Sequence, residues 1–271
     1  MKAQANILTK ILADKRVEID ERKRQEGIDG LRERALARPT PPDFATALAA
    51  GAIGLIAEVK RRSPSAGVIR DPFIPEDIAK SYQQAGAQAI SVLVDEKYFG
   101  GGEDIFRAVR STIDLPMLYK EFVIDEWQVW HAAALGASAI LLIAAALPEE
   151  RLAELMEIAR AARLETLFET HDADEIAIAS RLNANLIGIN NRDLKTFEVS
   201  LQTTLELKGL APPEAMIVSE SGIKNSDDVE LLMEHGVDAI LVGQQLLDHG
   251  KDPAREIANL MAAQQKASSG K

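Results

Sequence analysis

Charged and amide side chains follow several short apolar runs of this sequence, at the position where each run ends. The residues of this kind are Glu58, Lys60, Lys120, Glu169, Asn190 and Glu220. Lysine and glutamate side chains that are packed together shift each other's pKa, and general acid–base catalysis depends on such shifts. The pattern therefore predicts an acid–base site, provided that the fold brings the ends of these runs together.

The runs have the length and β-branched content of buried strands, and a strand projects alternate side chains to opposite faces. On the first run, Glu58 and Lys60 share one face with Ile56, whereas Leu55 and Val59 share the other. The same alternation pairs Lys120 with Leu118 and Phe122, Glu169 with Leu167, Asn190 with Gly188, and Glu220 with Val218. An isolated buried charge costs several kcal/mol, so these charges must compensate one another or bind a ligand.

Eight such runs alternate with amphipathic segments of helical composition from Gly54 onward. They read GLIAEVK, AISVLV, PMLYKEF, AILLI, TLFET, LIGIN, MIVSES and AILVG. Before three of them stands a glycine expected to end a helix, at Gly86, Gly136 and Gly236. This repeat predicts an α/β fold, a single (β/α)8 TIM barrel, in which inward side chains at the C-terminal strand ends form the active site. A doubly wound open sheet is the alternative, but RRSPSAG after the first run lacks the glycine pattern of a dinucleotide site.

The segments that flank the repeat complete the predicted organisation. Apolar residues recur at helical spacing over residues 6–26, and the charged residues between them are expected to form a solvated face. The proline-rich stretch ARPTPPDFATAL marks a junction. We therefore expect a helical extension packed on the barrel over 1–46, the barrel catalytic domain over 47–263, and a disordered tail over 264–271.

Composition limits the classes of function. The chain has 271 residues, no cysteine, four histidines and a formal net charge of −11. These numbers exclude disulfides and cysteine metal sites, give little basis for a histidine metal cluster, and disfavour nucleic-acid binding. With no apolar stretch long enough to cross a bilayer and a highly charged start, the sequence predicts a cytoplasmic protein with no membrane association and no obligate protein partner.

Two loops predict recognition of a phosphate group. Ser221 and Gly222 follow the seventh run in a predicted tight turn, and Gly243 and Gln244 follow the eighth at the start of a short helix. In many barrels these two loops bind phosphate through backbone N–H groups. The expected ligand is therefore a small phosphorylated molecule.

The motifs that contain these residues resemble the indole-3-glycerol phosphate synthase family of tryptophan biosynthesis. The matching segments are IAEVKRRSPSAG, LVDEKYFGG, LYKEFVID, LGASAILLIAAAL, GINNRDLKTFEV, VSESGI and ILVGQQL. The resemblance implies a carboxy-lyase that closes the ring of 1-(2-carboxyphenylamino)-1-deoxyribulose 5-phosphate and expels CO2 and water. It implies no cofactor and no metal.

The resemblance also implies roles for individual side chains. Lys120 matches the general acid of ring closure, and Glu169 matches the catalytic base. Lys60 matches a second lysine that either anchors the substrate or acts as an acid in dehydration, and the sequence leaves both roles open. Glu58 and Glu220 match carboxylates that orient the lysines and bind substrate hydroxyl groups.

The remaining site residues implied by the resemblance bind the substrate without taking part in proton transfer. Substrate contacts fall on Asn190, Glu220, Arg192, Phe99, Phe122, Leu141 and Leu194, and phosphate contacts on Ser63, Ser221, Gly222, Gly243 and Gln244. Gln244 departs from the family, which often has a serine or another small or acidic residue there, so we expect at least its backbone N–H to serve. Arg61, Arg62 and the four histidines receive no role.

Two other functions fit the same residues. One is another phosphate-binding barrel enzyme, such as a sugar-phosphate isomerase or an aldolase that forms a Schiff base through Lys120. The other is a barrel that binds a phosphorylated metabolite without catalysis. The second predicts the loss of at least one of Lys60, Lys120 and Glu169, and all three are present.

Overall fold

The eight strongest apolar runs form eight strands. The structure, a computed structural model, describes residues 7–64, 67–193, 196–248 and 250–263. Its barrel strands are β1 (Gly54–Val59), β2 (Ala89–Leu93), β3 (Met117–Lys120), β4 (Ala139–Ile143), β5 (Glu165–Thr170), β6 (Leu186–Asn190), β7 (Met216–Glu220) and β8 (Ala239–Val242). A two-stranded hairpin, Arg62–Ser63 with Gly67–Val68, follows β1.

The helices lie before, between and after the strands. They are α1 (Ile7–Gln25), α2 (Ile28–Ala37), α3 (Phe44–Leu48), α4 (Pro75–Gln84), α5 (Glu96–Phe99), α6 (Glu103–Arg110), α7 (Glu126–Leu135), α8 (Glu149–Ala161), α9 (Ala173–Arg181), α10 (Gln202–Leu207), α11 (Ser226–Glu234), α12 (Gln244–Leu247) and α13 (Pro253–Leu260). Short 3-10 turns cover Ala144–Ala146 and Lys208–Leu210. Within the described ranges, no helix is both long enough and apolar enough to span a membrane.

The strands pair in parallel and in chain order, and the sheet closes because β1 pairs with both β2 and β8. This confirms the predicted (β/α)8 barrel. The predicted strand faces are confirmed as well. Ile56, Leu118, Leu167 and Val218 pack in one apolar cluster inside the barrel, whereas Leu55, Ala57 and Val59 belong to the layer between strands and helices. The alternation of side chains along each strand therefore sets which groups face the barrel axis.

The junctions between helices and strands also follow the sequence. Gly86, Gly136 and Gly236 adopt positive φ angles of 92°, 88° and 68° at or just after the helix ends. This left-handed conformation favours glycine, which has no Cβ. The chain can therefore leave each of these helices in a sharp turn and enter the next strand.

The short helix α3 closes the N-terminal end of the barrel. Phe44 and Leu48 are fully buried in the interior cluster with Ile56. The carboxylate of Glu165 accepts hydrogen bonds from the backbone N–H groups of Phe44 and Ala45, which caps the start of α3. The expected domain boundary after residue 46 falls inside this helix. The expected tail, residues 264–271, lies outside the described residues.

Helix α1 confirms the amphipathic segment, and its residues Leu8, Ile11, Leu12 and Ile19 are buried. The expectation that all its charged residues are solvated is wrong for Lys15, whose side chain is only 1% exposed. Its ammonium lies 3.0 Å from Asp95, 3.0 Å from Glu121 and 2.7 Å from Glu18. Three carboxylates thus compensate the buried charge and attach α1 to the barrel.

Candidate active site

A cavity of about 570 Å³ opens at the C-terminal ends of the strands. It brings together the described residues that the sequence singled out. These are Glu58, Lys60, Ser63, Phe99, Lys120, Phe122, Leu141, Glu169, Asn190, Arg192, Glu220, Ser221, Gly222, Gly243 and Gln244. Leu194 lies outside the described residues. The arrangement agrees with the general position of active sites in (β/α)8 barrels.

Lys120 at the end of β3 bridges two carboxylates from other strands. Its Nζ lies 2.7 Å from Glu220 Oε2 and 3.1 Å from Glu169 Oε2. Burial alone would lower the pKa of Lys120, but the charges of Glu220 and Glu169 raise it above its ordinary value. Lys120 is therefore held as an ammonium group at the wall of the cavity.

The two carboxylates around Lys120 are not equivalent. Burial raises the pKa of Glu220 to about 7, with Lys120 opposing the rise and Glu169 adding to it. Burial acts in the same direction on Glu169, but Lys120 and His171 outweigh it and bring the pKa of Glu169 below its ordinary value. Of the two carboxylates that share this lysine, Glu220 is therefore the one that takes up a proton first as the pH falls. Glu169 consequently stays ionised and is the better proton acceptor at neutral pH.

Glu58 near the end of β1 and Lys60 just after it form a second ion pair, and both side chains line the cavity. Lys60 Nζ lies 2.5 Å from Glu58 Oε1. Glu58 packs against Gly243, where an added Cβ would collide with the Glu58 carboxylate. Gly188 on β6 has the same relation to Glu220, since a Cβ there would overlap Glu220 Oε1. Each glycine makes room for a carboxylate, which explains why small residues stand opposite the charges.

An apolar wall faces the charged groups. The rings of Phe99 and Phe122 have centroids 6.1 Å apart, and Leu141 lines the cavity beside them. Leu8 and Ile11 of α1 also line it. The sequence predicted that α1 packs on the barrel but not that it covers part of the site, because helical periodicity does not specify which surface a helix contacts. The cavity can therefore hold a flat apolar group next to a lysine.

The turn after β7 forms part of the polar side of the cavity. Ser221 and Gly222 have consecutive positive φ angles of 65° and 85°, which confirms the predicted tight turn after β7. Asn191 holds this turn in place, since its amide donates 3.0 Å hydrogen bonds to Ser219 Oγ and to the Ser221 carbonyl oxygen. Asn191 is buried and was missed in the sequence because it has the opposite strand parity to Asn190.

Other loop residues complete the rim. Ser63 lies in the hairpin that follows β1, and Arg62 connects this hairpin to α5 by donating to the carbonyl oxygens of Glu96 and Lys97. A structural contact therefore accounts for Arg62. Arg192 lines the cavity and donates to the Phe197 carbonyl oxygen at 3.4 Å. Gln244 is exposed at the start of α12 and borders the same cavity.

Sequence comparison identifies the family to which this constellation belongs. The family model described as indole-3-glycerol phosphate synthase matches residues 8–260. The chain belongs to the indole-3-glycerol phosphate synthase family. Relatives that carry this family's name include a protein of Leptothrix cholodnii, 45% identical over 95% of this chain and all of the relative, and one of Laribacter hongkongensis, 46% identical with the same coverage.

Solved structures support the fold more distantly. Thiamine phosphate pyrophosphorylase from Pyrococcus furiosus superposes with a TM-score of 0.60 at 17% identity, and covers 80% of this chain and 97% of its own. A mutant tryptophan synthase alpha-subunit from the same organism gives 0.59 at 14% identity, with coverages of 77% and 98%. At these identities the similarity concerns the barrel alone, so the family assignment depends on the sequence relatives.

Proposed function

We propose that this chain acts as an indole-3-glycerol phosphate synthase, the activity for which its family is named. The substrate is then 1-(2-carboxyphenylamino)-1-deoxyribulose 5-phosphate, and the products are indole-3-glycerol phosphate, CO2 and water. Two observations support the proposal. An ammonium group between two carboxylates faces an apolar wall within a single cavity, and the chain belongs to this family over almost its full length.

The first chemical step needs a proton donor. The ring carbon that bears the carboxylate attacks the ketone carbon, and the ketone oxygen takes a proton from Lys120 as the new bond forms. CO2 then leaves the same ring carbon, and its bonding electrons restore the aromatic ring. Lys120 suits this role because Glu169 and Glu220 keep it protonated and fix its position.

The second step is a dehydration. The hydroxyl group formed at ring closure leaves as water after it takes a proton, and the neighbouring CH2 carbon loses a proton to give the indole. Glu169 is the acceptor of that proton in this scheme. Lys60 either donates a proton to the leaving hydroxyl group or anchors the substrate. Glu58 orients Lys60 through the 2.5 Å ion pair.

The rest of the cavity binds and orients the substrate. Phe99, Phe122 and Leu141 form the wall for the aryl ring, and Leu194 is proposed to extend it. Polar contacts to the substrate come from Asn190, Glu220 and Arg192. The phosphate is assigned to the loops that contain Ser63, Ser221, Gly222, Gly243 and Gln244, where backbone N–H groups are the principal donors.

Indole fluorescence with the carboxyphenylamino substrate tests the proposal. Wild-type protein should form the product, whereas Lys120→Met and Glu169→Gln should each lose about 10²- to 10⁴-fold in kcat, the usual contribution of a general acid or base. Lys23→Met, an exposed lysine on α1, is the control and should behave as wild type. A folded wild-type protein that is inert with this substrate would overturn the assignment, and a covalent adduct of Lys120 trapped by borohydride would favour the aldolase alternative.

A further inference from the structure

His171 stands directly behind Glu169 but does not line the cavity. It follows β5, before α9 begins at Ala173, and its side chain is 11% exposed. Its Nε2 lies 3.5 Å from Glu169 Oε1, whereas the contact of Glu169 with Lys120 uses Oε2. The two oxygens of Glu169 therefore contact two different basic side chains, Lys120 and His171.

Glu175 fixes the orientation of the imidazole ring. Its Oε2 accepts a 2.7 Å hydrogen bond from the His171 backbone N–H and lies 3.1 Å from His171 Nδ1. An ionised carboxylate only accepts hydrogen bonds, so Nδ1 must carry the hydrogen of this contact. Nε2 then carries a lone pair if the ring is neutral and a hydrogen if the ring is an imidazolium.

The environment of Nε2 favours the doubly protonated ring. This atom is shielded from solvent and has no hydrogen-bond partner among the described residues. In the neutral ring its lone pair would face the Glu169 oxygen, which is repulsive. In the imidazolium form an N–H group would face that oxygen instead, and a small shortening of the 3.5 Å separation would complete a charge-assisted hydrogen bond.

The surrounding charges act in the same direction. Burial would lower the pKa of His171, but Glu175 and Glu169, with a further contribution from Glu220 on β7, raise it above its ordinary value. Asp172 is exposed and directs its carboxylate to the Glu175 backbone N–H. On the cavity side, Lys120 is paired with both Glu169 and Glu220.

We propose that His171, anchored by Glu175, is a positioning residue that holds the Glu169 carboxylate ionised and aimed at the substrate. The inference depends on the proposed function only where it calls Glu169 the base; the ion pair itself can be tested without substrate. Lys120 and His171 then provide a positive charge at each of the two oxygens of one carboxylate. When Lys120 gives its proton to the substrate, His171 remains as the cation that keeps Glu169 in place.

The protonation state of His171 can be measured by nitrogen-15 NMR of the histidine rings, with His171→Gln used to assign the signal. The expected result is a ring that is still mainly imidazolium at about pH 7, where a histidine with the ordinary pKa of about 6.5 is mostly neutral. Glu175→Gln and Glu169→Gln should each lower the pKa of His171, because each removes a negative charge and keeps the side-chain shape. A wild-type ring that is neutral at this pH would overturn the proposal.

The pH dependence of activity separates positioning from a merely structural role. In His171→Gln the carboxylate of Glu169 loses a cation, so it becomes protonated at higher pH than in wild type. We expect kcat to fall about fivefold or more near pH 6 and less than about twofold near pH 8.5, with KM almost unchanged. His235→Gln, an exposed histidine at the end of α11, is the matched control and should leave the profile unaltered.

A loss of kcat in His171→Gln by the same factor at every pH would contradict the proposal and indicate a structural role. The two experiments also separate this inference from the proposed function. If the protein is inert with the substrate but NMR detects the imidazolium and its dependence on Glu169, the proposed function fails and the ion pair stands. If the protein is active and the ring is neutral, only the positioning role of His171 fails.

Discussion

Two buried lysines in this protein have similar surroundings and different roles. Lys120 lies between Glu169 and Glu220 inside the barrel, in what we call the rim cluster, and Lys15 lies among Glu18, Asp95 and Glu121, in what we call the α1 cluster. The two clusters contain consecutive residues, because Glu121 of the α1 cluster directly follows Lys120 of the rim cluster. Lys120 is 14% exposed and lines the cavity, whereas Lys15 is 1% exposed and holds a helix in place.

The comparison shows that a buried lysine among carboxylates is not in itself an active site. In both clusters burial would lower the lysine pKa and the carboxylates raise it above its ordinary value. What differs is access, since the rim cluster has a cavity with an apolar wall beside it. Perturbed groups indicate function only where a substrate can reach them.

The largest effect that distinguishes the clusters should come from Lys15→Met. The substitution leaves Asp95 and Glu121 buried without their cation, and breaking a buried pair in this way costs about 3 to 5 kcal/mol. Denaturant unfolding measures this loss. Lys23 is on the same helix as Lys15 and forms an exposed ion pair with Asp125. Lys23→Met should change the free energy of unfolding by less than about 1 kcal/mol. Equal effects of the two substitutions would contradict the structural role of the α1 cluster.

A smaller effect should follow from Gly188→Ala, which perturbs the rim cluster without removing a charge. The added Cβ would overlap Glu220 Oε1, so the carboxylate that pairs with Lys120 must shift. We expect kcat to fall about 10- to 100-fold, as catalysis is sensitive to displacements of about 1 Å. Gly209→Ala is the control, because a Cβ there meets nothing within 4 Å. Unchanged activity in Gly188→Ala would show that the Glu220 position is not critical.

The smallest effect concerns Glu121. Burial raises its pKa to about 7, with Lys15 opposing the rise, so the folded state binds this proton more tightly than the unfolded state does. The stability contribution is present below the ordinary carboxyl pKa and is lost as pH rises to about 7. Between about pH 5 and 7, the free energy of unfolding of the wild type should therefore fall with rising pH, by up to about 1.4 kcal/mol per pH unit from Glu121. In Glu121→Gln this contribution to the fall should be absent. Parallel slopes in the two proteins would contradict this.

Much of the fold and the site could be predicted from the sequence because both depend on simple periodicities. Period-two alternation placed Glu58, Lys60 and Lys120 on the inner face, and the (β/α)8 repeat placed the strand ends on one rim. These signals are local, and the closed barrel converts them into proximity in space.

The residues that were missed depend on tertiary contacts. Lys15 was expected on a solvated face, since nothing in a helix pattern indicates that Asp95 and Glu121 will meet it. His171 follows β5 as an ordinary loop residue, and its relation to Glu169 and Glu175 is visible only in three dimensions. No periodic signal could have found these contacts.

Catalytic activity per folded molecule of Lys120→Met and Lys15→Met tests the distinction between the clusters most directly. Both proteins should be assayed by indole fluorescence, with the folded fraction determined in the same buffer. We predict that folded Lys120→Met loses about 10²- to 10⁴-fold in kcat, while folded Lys15→Met keeps kcat within about threefold of wild type. Wild-type kcat in Lys120→Met, or an equal loss in folded Lys15→Met, would contradict the assignment of chemistry to one cluster and structure to the other.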